Sequence, residues 1–235
     1  MAAFVPDPET VAQHIVEMTN QVRREQNLSS LKVNSILAKA AQGYARSLAQ
    51  SGAFSHTADG RTPAVRAESA GYKPCAIAEN LAMERTRQSF ATGQLAIEIM
   101  AGWMNSPAHR ANITMPTASE VGVGIAEAPT AKGTFIAVEL IAQPASAAYT
   151  FQIVNAAHVA VTFTFAGKER VIEPNLSATQ TSCHPSEIVF SAPGGAFSAA
   201  REIARLPAQD QKIYTLKPDT SGNLSVEVTA RHAGP

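Results

Sequence analysis

The sequence predicts an α+β protein in two parts. Residues 1–145 form a largely helical half closed by a β-hairpin, and residues 149–235 a small all-β antiparallel sandwich. Three observations predict this. Apolar residues recur at helical spacing as far as Ile113. From Tyr149 onward they alternate with polar residues in short runs. Between the two styles lies Pro144-Ala-Ser-Ala-Ala148, which reads as a linker.

The elements follow in order. Asp7-Pro8-Glu9 supplies an N-cap, a proline at the first helical position and an acid in the first turn, and Val11, Ile15, Met18 and Val22 follow on one face. Asn34 caps a second helix with the stripe Leu37, Ala41, Tyr44 and Leu48, and Gly52 sits where a left-handed residue ends it. Thr62-Pro63 opens a short third helix, with Gly71 beyond its end. A fourth carries Leu95, Ile99, Met100 and Trp103, and Ser106-Pro107 starts a fifth running to Asn112. Val121–Ile125 and Thr134–Ile141 read as a hairpin around a loop at Pro129–Gly133. In the second part, Val159, Val161, Phe163 and Phe165 share one face of a strand begun by His158, a surface residue. Gly167-Lys168 suits a tight turn, and Leu224, Val226 and Val228 alternate again. Phe197–Leu206 reads as a helical interruption.

Composition narrows the function classes. With 45% hydrophobic and 16% charged residues among 235, the chain can build a core and does not read as disordered. Nineteen basic residues balance nineteen acidic ones, so there is no electrostatic case for nucleic acid or an anionic membrane as partner. No apolar run approaches the roughly 20 residues of a transmembrane helix, as expected of a soluble protein. MAAFVPDPET has no basic stretch followed by an apolar one, so no signal peptide is read; a cytosolic chain and a mature secreted form both remain open. Cys75 and Cys183 form no CxxC pair, which excludes the common zinc-ribbon and thioredoxin-like motifs. Two buried thiols are favoured over a disulfide, which would imply an oxidising compartment.

Four segments of the first half carry the chemistry: Phe54-Ser-His-Thr57, Ala78-Glu-Asn-Leu81, Trp103-Met-Asn-Ser-Pro-Ala-His-Arg-Ala-Asn-Ile113 and Val121-Gly-Val-Gly124. In this order they resemble a bacterial member of the CAP superfamily, that of cysteine-rich secretory proteins, antigen five and plant pathogenesis-related proteins. The resemblance covers about Asp7 to Gln143 and leaves the second part unassigned. It implies an α–β–α sandwich and an extracellular or periplasmic location. It also implies one open cleft lined by His56, Glu79 and His109, with Glu98 and Glu139 as further candidates. Departures are visible. The strand Gly133–Leu140 carries no histidine where eukaryotic members have one, Glu139 stands in place of a glutamine, and Ala78 in place of a glycine.

Imidazoles beside a carboxylate suit a divalent metal such as zinc, with His56 and His109 as ligands. Each residue also has a plainer role: His109 bonding a backbone carbonyl, Glu79 accepting backbone amides, Asn80 holding loop backbone, Trp103 anchoring the core. A metal at Cys183-His184 is rejected, because neighbours on a strand point opposite ways. G-x-S-x-G, P-loop and H-E-x-x-H motifs are absent; Gly122 and Gly124 are half a dinucleotide fingerprint, and Ser55-His56 is no triad pair. Three readings follow. The leading one is a secreted or envelope-associated protein that binds a cell-surface component, lipid or small ligand through the His/Glu cleft, with a second apolar groove between helices for a lipid. The alternatives are a zinc-dependent hydrolase using His56, Glu79 and His109, with Glu98 or Glu139 as base, and a non-catalytic scaffold.

Overall fold

The computed structural model describes residues 6–85, 91–194 and 200–231. The chain divides into two compact units, Met1–Ser146 and Ala147–Pro235. The first opens with α1 (Pro8–Glu25), capped by the Asp7 side chain accepting from Thr10 N–H. The short strand β1 (Lys32–Val33) leads into α2 (Ser35–Ser51), capped by Asn34 and ended by Gly52 at φ 71°. Next come α3 (Pro63–Ser69), β2 (Pro74–Arg85), α4 (Thr92–Asn105), α5 (Pro107–Ile113), β3 (Glu120–Glu127) and β4 (Thr134–Pro144). The strands lie in the order β1-β3-β4-β2, antiparallel except for β1 with β3.

Two cores flank this sheet. Val11, Ile15, Leu95, Ile99, Trp103 and Ile113 from α1, α4 and α5 pack on the face of Val121, Val123 and Ile125. Leu37, Ala41, Tyr44, Leu48 and Ala67 from α2 and α3 pack on the face of Ile136, Val138 and Leu140. This is the three-layer α–β–α arrangement. Its tightest joint is between α2 and β3. A Cβ on Gly122 would stand 2.2 Å from the Ala38 nitrogen, and one on Gly124 2.2 Å from the Gln42 nitrogen. Helix backbone therefore rests directly on strand backbone. The Gln42 amide clamps the joint, donating to Ile125 O (2.8 Å) and accepting from Ile125 N–H (3.0 Å).

The 12-residue β2 was not read from the sequence as a strand. Among the described residues it pairs only with β4, at the edge of the sheet, and it carries polar residues on both faces: Glu79 toward α3, Asn80 toward α5.

The second unit runs β5 (Tyr149–Asn155), β6 (Val161–Phe165), β7 (Lys168–Ile172), β8 (Ser177–Ser182), β9 (Glu187–Ala192), β10 (Arg201–Pro207), β11 (Lys212–Pro218) and β12 (Leu224–Ala230). Two four-stranded sheets, β10-β9-β6-β7 and β12-β11-β5-β8, bury Phe151, Ile153, Phe163, Phe190, Tyr214 and Leu216 between them. All pairs are antiparallel except β5 with β11. Three expectations need correction. Val159 precedes β6 and is exposed, so the inward face begins at Val161. Residues 201–206 form strand, not helix; a bulge between Glu202 and Ala204 breaks the alternation and sets Ile203, Ala204 and Leu206 against the core. The start of that expected helix, Phe197, lies outside the described residues. Finally, neither Cys75 nor Cys183 is a free thiol.

Candidate functional site

The site grows from α2 and the loop that follows it. Tyr44, on the buried face of α2, donates its hydroxyl to Ser55 O (2.5 Å) and accepts from Ala58 N–H (3.1 Å). The loop is thereby pinned to the helix, with the His56 side chain 54% exposed. Across from it, β2 points Glu79 inward, its side chain 1% exposed. His56 Nδ1 lies 2.8 Å from Glu79 Oε1. A carboxylate can only accept, so the neutral ring holds its proton on Nδ1 and turns Nε2 away from Glu79.

The residue that sequence reasoning missed is Arg66. It sits on α3, 4% exposed, and donates to Glu79 Oε2 at 2.6 Å. The same guanidinium donates to His56 O (3.0 Å), Arg61 O (2.7 Å) and Asp59 Oδ1 (3.0 Å). Its carbon lies 3.4 Å from the Tyr44 ring centroid, a cation–π contact. Arg66 thus ties helix, loop and strand together and fills the second oxygen of Glu79. The available signal was a charged residue beside Ala67 on the one face that a seven-residue helix can bury.

His109 comes from the other side. Its helix packs on the free edge of β2, where Asn112 Nδ2 donates to Glu79 O (3.3 Å) and Asn80 Oδ1 (2.9 Å). His109 Nδ1 is buried and has no hydrogen-bond partner among the described residues. Burial first, and the nearby His56 second, hold the His109 imidazole below its ordinary range, which favours the neutral ring. The expected backbone-carbonyl bond from its ring is not formed at Nδ1.

The other candidates fall elsewhere. Glu139 is fully buried beneath α1 and β2, bonded to Thr19 and Asn80, and lines no open surface. Glu98 is exposed on α4, accepts from Gln94 at 2.5 Å, and with burial helps push Glu84 up. Asn80 bonds the side chains of Glu139 and Asn112, with a longer contact to His109 O, rather than loop backbone. Glu79 accepts from two side chains, not from backbone amides. Trp103 is buried and donates to Leu81 O at 3.0 Å, a core anchor as expected. Between α1 and α4 an apolar groove of ≈ 260 Å³ is lined by Met18, Val22, Ile97, Met100 and Met104.

Zinc does not fit this donor set. Among the described residues no three His, Cys, Asp or Glu side chains are grouped to hold a metal ion. Glu79 already spends one oxygen on Arg66 and the other on His56. A cation there would also face the Arg66 charge.

The cysteine-rich secretory protein family (CAP) model matches residues 16–140. The uncharacterized protein YkwD of Bacillus subtilis is 29% identical over 113 residues, 48% of this chain and 41% of its own length. The chain thus spans about two-fifths of that relative. Among solved structures, an outer surface protein of Borrelia burgdorferi is 20% identical with a TM-score of 0.50, over 60% of this chain and 98% of that one. An extracellular protein containing a SCP domain from Bacillus anthracis is 22% identical with a TM-score of 0.48, over 58% and 41% of the two chains. The likeness to the Borrelia burgdorferi structure is one of fold alone.

Proposed function

The chain belongs to the cysteine-rich secretory protein (CAP) family, and from that premise we propose that the cleft at His56, Glu79 and His109 is a recognition site for a polar group of a cell-envelope component, on a protein that works outside the cytoplasm. The observation that carries the reading is the state of Glu79. Both its oxygens are engaged, one by Arg66 and one by His56. The carboxylate is therefore spent on holding an imidazole rather than on activating water. A fixed, exposed imidazole whose Nε2 is turned away from Glu79 can accept from a ligand with little ordering cost, which is the basis of preorganised recognition. The location has separate support. Neither cysteine is a free thiol, as suits an oxidising compartment. Two relatives are described as outer surface and extracellular proteins. No helix among the described residues is long and apolar enough to cross a membrane.

Co-sedimentation with isolated bacterial envelopes, native and lipid-extracted, tests this. The full chain is expected to bind both, and His56→Ala to bind about tenfold more weakly, the loss of one or two hydrogen bonds. Equal binding by His56→Ala, with the fold intact by circular dichroism, removes the cleft from the binding surface.

A further inference from the structure

In the order β1-β3-β4-β2, the short β1 meets β3 only at Glu120 and Val121. Among the described residues no strand pairs with the outer side of β3 from Gly122 to Glu127. Hydrogen-bonded pairs alternate along an antiparallel ladder. Even-numbered residues face β4, as Ala128 N–H does in donating to Thr134 O. The odd-numbered residues of β3 therefore turn their N–H and C=O to the outer edge. Val121 O takes the Asn34 N–H there. At Ile125 the place of a strand residue is held by the Gln42 side-chain amide, which donates at 2.8 Å and accepts at 3.0 Å. Val123 and Glu127 turn the same way on either side of it.

A groove of ≈ 660 Å³ lies over this stretch, with Val123, Ile125 and Glu127 at its base and α1 and α2 at its sides. The two sides differ in charge. The α1 side presents Asp7 and Glu9, the α2 side Lys39 and Arg46, and all four are exposed. Glu127, at the end of the strand, is paired with Lys132 at 3.8 Å. α1 packs on one face of the sheet and α2 on the other. A strand added beside β3 would send successive side chains to the two faces in turn. Every second residue would meet the acidic side, and the residues between them the basic side.

We propose that the outer edge of β3 is a docking site for an extended peptide in which basic and acidic residues alternate. The peptide continues the sheet where β1 leaves off. At Ile125 its backbone replaces the Gln42 amide, one amide for another, and it adds hydrogen bonds at Val123 and Glu127. In such strand addition the main-chain bonds supply affinity and the alternate side chains supply specificity. Basic residues face Asp7 and Glu9, acidic ones Lys39 and Arg46. Val123 to Glu127 spans about 17 Å, which a hexapeptide covers. The cleft at His56 is built on β2, at the opposite edge of the sheet, so the inference stands whatever that cleft binds.

Titration of the full chain with acetyl-Lys-Glu-Lys-Glu-Lys-Glu-amide at low salt, followed by ¹H–¹⁵N correlation spectra, tests it. The amide signals of Val123, Ile125 and Glu127 are expected to shift together. In a paired strand only alternate residues bond the neighbour. Methylating the backbone nitrogens of one alternate set, all the lysines or all the glutamates, is therefore expected to weaken binding at least about tenfold, and methylating the other set to change it little. A block peptide of the same composition, acetyl-Lys-Lys-Lys-Glu-Glu-Glu-amide, is expected to bind at least about tenfold more weakly, because part of its side chains face like charge. Gln42→Ala is expected to bind the alternating peptide about tenfold more tightly, since no amide has to be displaced from Ile125. No shift at Val123, Ile125 and Glu127 overturns the proposal. So does equal affinity for the two methylated sets, equal affinity for the alternating and block peptides, or unchanged affinity in a folded Gln42→Ala. The methylated pair decides the matter on the wild type if Gln42→Ala fails to fold.

Discussion

Replacing Arg66 by alanine is expected to destabilise the first unit by about 3–5 kcal/mol, the usual cost of breaking one side of a buried ion pair. The guanidinium and the Glu79 carboxylate are both almost wholly buried, and the pair is 2.6 Å apart. Removing the cation strands the carboxylate and also releases the His56 and Arg61 carbonyls and the Tyr44 ring. Urea unfolding read by the single tryptophan, Trp103 in the first unit, measures the loss. The combined change Arg66→Ala with Glu79→Gln is expected to cost less than the sum of the two alone, because no unpaired charge is left. Additive costs would mean that the two side chains act independently. Arg66→Lys is expected to restore little, since an ammonium cannot reach the same set of acceptors as the fork.

Gly124→Ala is expected to cost at least about 3 kcal/mol, at the upper end for overpacking. The added Cβ would stand 2.2 Å from the Gln42 nitrogen and 2.4 Å from the Ala41 carbonyl carbon, both backbone atoms that cannot swing aside. Either α2 lifts from β3, breaking the Gln42 clamp on Ile125, or β3 twists out of register with β4. Gly43 on the same helix is the control. An added Cβ there meets nothing within 4 Å, so Gly43→Ala is expected to stabilise by roughly 0.5–1 kcal/mol. Thermal unfolding of the two variants should move in opposite directions. A neutral Gly124→Ala would mean that α2 can stand off from the sheet.

The helices were legible because their ends are chemically marked. Asp7, Asn34 and Thr62 cap as read, and Gly52 closes α2 in the left-handed region. The β3–β4 hairpin was legible from its apolar runs. β2 was not, because its two central polar residues each turn inward to a partner from another element, and a strand with buried Glu79 and Asn80 loses the alternation that announces strands. Of the site, the sequence motifs pointed to His56, Glu79 and His109, and His56 and Glu79 are directly bonded. Arg66 escaped because its role depends on three segments that meet only in the fold. Glu139 was read as a cleft residue, but its strand is internal to the sheet, between β3 and β2, so its side chain could only point into a layer of helices.

The direct test of the cleft is the tautomer of His56, read from two-bond ¹⁵N–¹H correlations of the imidazole in wild type and in Glu79→Gln. In the wild type the proton should sit on Nδ1, facing the carboxylate, with Nε2 bearing the lone pair offered to a ligand. In Glu79→Gln the amide turns its oxygen to Arg66 and its NH₂ to His56, so the proton should move to Nε2. An Nε2–H ring in both proteins would show that Glu79 does not hold the imidazole, and the cleft would lose its organising pair.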